Sequence, residues 1–158
     1  MIELVQTADP DLIERLVNLE IDSFGEGGLN KWHLIPLIRH GRVFIIREDR
    51  EIAGLVEYML DWEDPRKAYM VGVSTDKRWR GQGIGTRILK ESFAWLQGEG
   101  IREIELTVAP NNMAAVTIYE KKLGFQIAEL RADEFGPGEN RLIMKLSLAD
   151  FSDSGSIL

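Results

Sequence analysis

The sequence predicts an α+β fold, and three observations carry the expectation. Several short runs are apolar throughout or alternate apolar with polar residues, as buried and half-buried strands do. Longer segments repeat apolar residues at helical spacing, and glycine, proline or asparagine punctuates the boundaries. In chain order the elements read β-α-α-β-β-β-α-β-α-β-β. With 158 residues, 44% of them hydrophobic and 28% charged, the chain suits one domain around one core.

Ile2 to Gln6 suits a short strand. Asp9-Pro10 follows as an N-cap with proline at the first helical position, and Leu12, Ile13, Leu16, Val17 and Leu19 mark that helix's apolar face. Phe24 to Gly28 reads as a flexible break, after which Asn30 caps a second helix through Trp32, Leu34, Ile35 and Leu37 until Gly41 stops it. Pro36 is expected to distort this helix. Val43 to Ile46 is a buried strand, Arg47 to Glu51 a polar turn, and Ile52 to Leu60 the hairpin partner. Asp61 to Lys67 is a polar loop, and Tyr69 to Ser74 is a strand that runs into the glycine-rich stretch DKRWRGQGIG, residues 76–85. Ile84, Ile88, Leu89, Trp95 and Leu96 then repeat at helical spacing until Gly98 and Gly100. Ile104, Leu106 and Val108 alternate with Glu103, Glu105 and Thr107 as a half-buried strand, and Asn111-Asn112 opens a short helix through Tyr119. Gly124 to Leu130 and Arg141 to Leu148 are the last strands, parted by Gly136-Pro137-Gly138. Residues 1–149 are expected to form a single domain and residues 150–158 a flexible C-terminal tail.

Nineteen basic against 26 acidic residues give a net charge of -7, which opposes a broad nucleic-acid surface and mildly favours cationic partners such as amines. The absence of cysteine excludes a disulfide framework, a thiolate metal site and a cysteine nucleophile, and no metal is expected. The start lacks a basic region followed by an apolar run, and no stretch approaches the roughly 18 apolar residues of a membrane span. The expectation is a cytoplasmic protein without a membrane or nucleic-acid partner.

The glycine stretch falls between a strand and a helix. Exposed amides at a helix N-terminus, with the positive end of the dipole, bind anions once small side chains let a phosphate approach. Gly81, Gly83 and Gly85 supply that access, and Arg80, with Arg78 as a second candidate, would add charge-assisted bonds. A Walker loop requires lysine and then serine or threonine after its last glycine, whereas Gly85 is followed by Thr86-Arg87. A dinucleotide fingerprint requires two residues between its second and third glycines, which this spacing lacks.

Arg80-Gly81-Gln82-Gly83-Ile84-Gly85 resembles the R/Q-x-x-G-x-G/A pyrophosphate loop of the GNAT superfamily of acetyl-CoA-dependent N-acetyltransferases. A second stretch, from Asn112 through Ala115 and Tyr119 to Gly124-Phe125, resembles the family's other signature. The element order matches as well. The resemblance implies a three-layer arrangement with a central mixed twisted sheet of about six or seven strands flanked by about four helices. Three departures stand out: Thr75 replaces a usual apolar residue, Lys77 a frequent proline, and the span from Tyr119 to Gly124 is one residue longer than the commonest spacing.

Acetyl transfer to an amine requires a neutral nucleophile, stabilisation of the developing oxyanion and a proton for the departing thiolate. By resemblance, acetyl-CoA is the co-substrate, Val73, Ser74 and Thr75 pair with its pantetheine arm through backbone groups, and Arg80 to Thr86 hold its pyrophosphate. Asn112 and Ala115 lie beside the coenzyme, although Asn112 also suits a helix N-cap. Tyr119 resembles the tyrosine that protonates the thiolate, a task suited to a phenol of pKa about 10, while packing on the helix's buried side is its plainer reading. The base has no clear bearer. In ribosomal-protein N-terminal acetyltransferases, which the chain loosely resembles, the glutamate position on the fifth strand falls on Thr107, which cannot serve. Glu57, on a strand face with Leu55 and Met59, and Glu105, on a face with Thr107, are the candidates through water, or else are solvated strand carboxylates. His33 and His40 suit surface or packing roles. Glu20, Phe24, Glu26 and Trp32 resemble the first-helix region of protein N-terminal acetyltransferases, and Glu134-Phe135 their last-hairpin loop, which makes these six the acceptor-site candidates.

The resemblance implies an acceptor that is a small-molecule amine or a protein N-terminus, and it allows a homodimer through sheet edges. A non-catalytic module that senses acyl-CoA is the alternative, motivated by Thr107 and the unassigned base.

Overall fold

A computed structural model describes residues 1–149 and 151; the remainder of the predicted tail lies outside the described residues. The strands are β1 (Ile2–Leu4), β2 (Arg42–Glu48), β3 (Glu51–Leu60), β4 (Lys67–Thr75), β5 (Glu103–Val108), β6 (Gln126–Arg131) and β7 (Arg141–Ser147). The helices are α1 (Pro10–Phe24), α2 (Lys31–His40), α3 (Ile84–Gly98) and α4 (Met113–Thr117), with tight turns at Gly25–Gly27 and Lys77–Trp79 and a wide π-type turn at Ile118–Lys122. The strands form one seven-stranded sheet in the order β1-β2-β3-β4-β5-β7-β6. β4 and β5 pair in parallel from Lys67↔Glu103 to Tyr69↔Glu105, and β1–β2, β2–β3, β5–β7 and β6–β7 are antiparallel. The α+β expectation therefore holds, with seven strands and four helices. Among the described residues, no helix is long and apolar enough to cross a membrane.

The chain divides into two compact units, Met1–Leu60 with Met70–Phe93, and Asp61–Tyr69 with the chain from Ala94 onward. In the first, Ile13, Leu16 and Leu19 of α1 and Leu34 and Ile38 of α2 bury against Val43, Ile45 and Leu55. Those strand residues share one sheet face, because Val43 pairs with Glu57 and Ile45 with Leu55. The opposite face carries Phe44, edge-on to Tyr58, whose hydroxyl meets Ser92 Oγ at 2.7 Å. In the second unit, β7 lies between β5 and β6, with Ile104, Leu106, Ile143 and Met144 fully or almost fully buried.

Local chemistry explains where the elements begin and end. Asp9 caps α1 by accepting from the Leu12 amide, and Asn30 and His33 form a reciprocal capping box at the start of α2. α2 ends before Gly41 as expected and includes Pro36, whose missing amide leaves free only the carbonyl of Trp32 in the exposed first turn. Other segments differ from the sequence reading. The Phe24–Gly28 run forms an exposed tight turn whose end is packed, since a Cβ at Gly28 would sit 2.7 Å from the Glu20 carbonyl oxygen. β2 extends to Glu48, which leaves only Asp49 and Arg50, both at positive φ, to turn the hairpin. The last helical stretch passes Tyr119 through the wide turn, and β6 starts only at Gln126.

Gly54 on β3 positions the start of α3. A Cβ there would lie 3.0 Å from both Ile46 Cγ2 and Ile84 Cγ2, so the first residue of α3 packs directly on the bare backbone. Gly54→Val is expected to cost about 1–3 kcal/mol by overpacking, read as a lowered urea midpoint with unchanged slope.

Candidate active site

The first unit carries the glycine-rich loop proposed from the sequence as an anion site. Gly81 and Gly83 adopt φ of +79° and +81°, a left-handed backbone that glycine takes without strain, and a Cβ at either would meet open space. The chain thereby turns tightly into α3, where Arg87 N donates to Gly83 O at 3.0 Å as the first full helical bond. The amides before it lack intrahelical acceptors and are available to an anion. Gly85 lies already inside α3, and a Cβ there would only touch Thr75 Oγ1 at 3.4 Å. Ile84 is buried, which anchors the loop, while Thr86 is half-buried.

The two arginines differ. Arg78 donates to both oxygens of Asp76 at 3.0 Å, lies 3.8 Å from Glu51 and stacks over Trp79, so its charge is already answered. Those bonds hold the Asp76 carboxyl below its ordinary range. Arg80 is exposed and donates from Nε to the Thr75 carbonyl at 3.1 Å, with no carboxylate partner among the described residues. Gln82 ties back to the Arg78 carbonyl at 3.3 Å. Along the end of β4, Val73 and Thr75 are half-buried and Ser74 is buried, its hydroxyl without a partner among the described residues.

Beneath α1 lies a pair of buried carboxyls. Glu57 is 0% exposed and Glu20 1%, on a sheet face and helix that are otherwise apolar. Glu20 Oε2 accepts from the Leu29 amide at 3.0 Å. As carboxylates, neither Glu57 oxygen has a hydrogen-bond donor among the described residues, and Oε2 lies 3.2 Å from where a Gly72 Cβ would be. Burial, then a shared proton and repulsion with Glu20, push the Glu57 carboxyl well above its ordinary value of 4.5. Of the other acceptor-site candidates in this unit, Phe24 is half exposed at the end of α1, Glu26 lies in the exposed turn, and Trp32 is 76% exposed beneath Lys31. Glu20 is buried beside Glu57 and does not line the surface with them.

The second unit holds the other signature. Asn112 caps α4, its Oδ1 accepting from the Ala115 amide at 3.3 Å. Ala115 and Tyr119 are half-buried, and Tyr119 stands edge-on to Phe125 with centroids 5.6 Å apart. Leu123 N reaches back five residues to Ile118 O at 3.2 Å, and Phe125 N to Tyr119 O at 2.9 Å around Gly124 at φ +84°. The extra residue between Tyr119 and Gly124 is absorbed in this wide turn. Burial raises the Tyr119 phenol, with the nearby Arg141 opposing it, so the phenol is protonated at neutral pH.

The two strand carboxylates proposed as bases are unlike. Glu105 accepts from Lys67 Nζ at 2.7 Å and lies 3.8 Å from Lys145, and this pairing raises the lysine. Thr107 meets the Tyr69 hydroxyl at 3.3 Å and accepts from Arg141 Nε at 3.2 Å. Arg141 also stacks over Phe135, at 4.7 Å, while Glu134 is tied to Arg131 at 3.1 Å. Arg141 was not foreseen from the sequence, where an arginine opening an apolar strand is an ordinary edge residue.

Residues 12–125 match the Acetyltransferase (GNAT) family. The chain belongs to this family. It is 24% identical over 134 residues to an N-terminal acetyltransferase complex ARD1 subunit homolog of Dictyostelium discoideum, covering 83% of this GNAT chain and 66% of that one. It is 35% identical over 80 residues to the L-2,4-diaminobutyric acid acetyltransferase of Methylotuvimicrobium alcaliphilum, covering 49% and 46%. The match thus spans between about half and about two thirds of these relatives' lengths. Among solved structures, the Escherichia coli ribosomal-protein-S18-alanine N-acetyltransferase superposes with a TM-score of 0.77 at 19% identity, over 96% of this chain and 97% of that one. Ard1 from Thermoplasma volcanium gives 0.78 at 17%, over 93% and 96%. These likenesses show that the seven-stranded mixed sheet with four helices is the GNAT fold.

Two expectations follow. Gly83→Ala should cost about 1 kcal/mol from its left-handed backbone, whereas Gly85→Ala, inside a helix, should be neutral or stabilising; paired urea titrations check this. Glu57, raised in the fold, contributes stability at low pH that is lost as pH climbs from about 4.5 to its folded value and then levels off. Glu57→Gln removes that decline, so the difference in Tm should move in the variant's favour as pH rises through this window.

Proposed function

We propose that the protein transfers the acetyl group of acetyl-CoA to a primary amine, on a small molecule or a protein N-terminus, by direct attack in a ternary complex. The observation that carries this reading is the loop at α3: two glycines at positive φ with open space above them, unsatisfied helix amides, and Arg80 free of any carboxylate among the described residues. A pyrophosphate needs all three. The coenzyme, when bound, supplies the activated thioester. Residues Arg80 to Thr86 grip its phosphates, and the backbone of Val73, Ser74 and Thr75 aligns its pantetheine arm as an added strand would. Asn112 and Ala115 flank it, with Asn112 also capping α4.

Tyr119 donates its phenolic proton to the departing sulfur, in keeping with burial that keeps the group protonated. Glu57 accepts the ammonium proton through water, for its raised pKa brings a carboxyl closer to the proton affinity a base requires. Glu105, held by two lysines, is the weaker candidate. Phe24, Glu26, Trp32, Glu134 and Phe135 remain the candidates for contact with the acceptor, and Glu20 acts on it only through Glu57. The relatives include both an N-terminal acetyltransferase subunit homolog and a diamino acid acetyltransferase, and a Bacillus subtilis acetyltransferase of similar fold was solved in complex with CoA. We place the protein in the cytoplasm as one domain over residues 1–149. One observation favours a second reading, a sensor that binds acyl-CoA without transfer: position 107 is a threonine whose hydroxyl is engaged by Tyr69 and Arg141.

The test has two stages. Acetyl-CoA and CoA at about 100 times their dissociation constants should each stabilise the fold by about 2.7 kcal/mol, and Gly83→Glu should abolish the shift. With an amine acceptor, release of CoA thiol should fall about 10²-fold or more in Tyr119→Phe, and Glu57→Gln should flatten the acidic limb of the pH–rate profile. CoA binding without release across amines and peptides would favour the sensor. A shift with ATP or NAD but not CoA would defeat both readings.

A further inference from the structure

Arg141 is a half-buried cation that the reaction chemistry above leaves unused. It opens β7 directly after the last hairpin loop. Its Nε donates to Thr107 Oγ1 at 3.2 Å and its Nη2 to the Thr107 carbonyl at 3.0 Å, so one edge of the guanidinium is fastened to β5. Thr107 is itself held by the Tyr69 hydroxyl at 3.3 Å. The ring of Phe135, 58% exposed, covers one face of the guanidinium at 4.7 Å. These contacts use two of the five N–H donors an arginine carries, and they leave its end-on edge, the Nη1 and Nη2 pair, without an acceptor among the described residues.

Arg141, like Arg80, has polar contacts but no carboxylate partner among the described residues. Arg47, Arg66, Arg78, Arg87 and Arg131 each meet a carboxylate. Four acidic groups of the same unit are already engaged by other cations: Glu134 and Glu129 with Arg131, and Glu103 and Glu105 with Lys67 and Lys145. A guanidinium that is oriented, partly dehydrated and offers two parallel donors matches a carboxylate end-on. Its charge opposes the rise that burial imposes on the Tyr119 phenol. On a chain of net charge -7, an acidic ligand needs such a local positive group to approach.

We infer that Arg141 is a specificity-determining residue that receives a carboxylate carried by the amine acceptor. The inference rests on the acetyl-transfer reading for the word acceptor, and its test does not require turnover. The carboxylate belongs either to a free amino acid or to an acidic side chain near a peptide's N-terminus, and the chemistry at Arg141 is the same.

Calorimetric titration of the protein saturated with CoA compares ligands that differ at one group. One pair is 2,4-diaminobutyrate and its carboxamide; the other is an amidated tetrapeptide beginning Ser-Glu and its Ser-Gln counterpart. In at least one pair the carboxylate member should bind about tenfold more tightly or better, as expected for a charge-assisted bidentate contact. Arg141→Gln should bring that pair to within about twofold, and Arg141→Lys, which keeps the charge without the fork, should restore part of the preference. A purely structural pin between the hairpin and β5 would alter both members of a pair alike. Parity in both pairs with the native protein overturns the inference, as does a preference that survives Arg141→Gln. An Arg141-dependent preference without CoA release from acetyl-CoA would defeat transfer and leave the carboxylate site standing, whereas release with parity would do the reverse.

Discussion

The contact between Ile84 and the bare backbone of Gly54 is the constraint on which the first unit's chemistry depends. α3 cannot lie so close to β3 unless position 54 lacks a side chain, and its first residue is buried only because it does lie there. Burying Ile84 fixes the direction of the helix axis and with it the direction in which the unsatisfied amides point. The left-handed Gly81 and Gly83 then let the chain enter from the strand side without covering those amides. Core packing and anion binding are in this sense one arrangement: an apolar contact of one residue aims the dipole of a helix.

Electrostatics separates the basic residues by what already neutralises them. Arg78 and Arg80 are two positions apart in the sequence, yet Asp76 and Glu51 hold the first while the second has only a carbonyl. The same contrast recurs in the second unit, where Arg131 is held by Glu129 and Glu134 and Arg141 by a threonine and an aromatic ring. For a cation held in a structured position without a carboxylate, binding an anion supplies what folding did not.

Much of the fold was legible because its signals are local. Asp9-Pro10, Asn30 and Asn112 announce helix starts through side-chain chemistry within a few residues, and the alternation of β5 reads directly as a half-buried strand. The hairpin turn was legible within Arg47–Glu51 but its two-residue length was not, since Asp49 and Arg50 at positive φ carry no glycine signature and the strand pairing on either side imposes them. Nor was the burial of Glu20. Its place on α1 suggests a surface carboxylate, and only the return of β3 beneath that helix brings Glu57 to it. Arg141 and Thr107 are 34 residues apart, so their pairing depends on the β5–β7 register, which no short motif encodes. The glycine loop and the Asn112–Phe125 stretch were readable as family signatures, while the surroundings that decide protonation and charge pairing are tertiary.

Burial acts in the same direction on the two titrating groups, and its consequences are opposite. Removing water from Tyr119 favours the neutral phenol, which is the form that can give a proton, so dehydration alone readies it as an acid. Removing water from Glu57, with Glu20 beside it, also favours the protonated form, which for a carboxyl is the inactive state of a base. In the proposed role as base, the raised affinity that would make Glu57 a better proton acceptor would also confine it to the pH range above its own pKa. A base built this way gains strength only by giving up part of its ionised population. That exchange suits an amine acceptor, whose free-base fraction increases over the same upward range of pH.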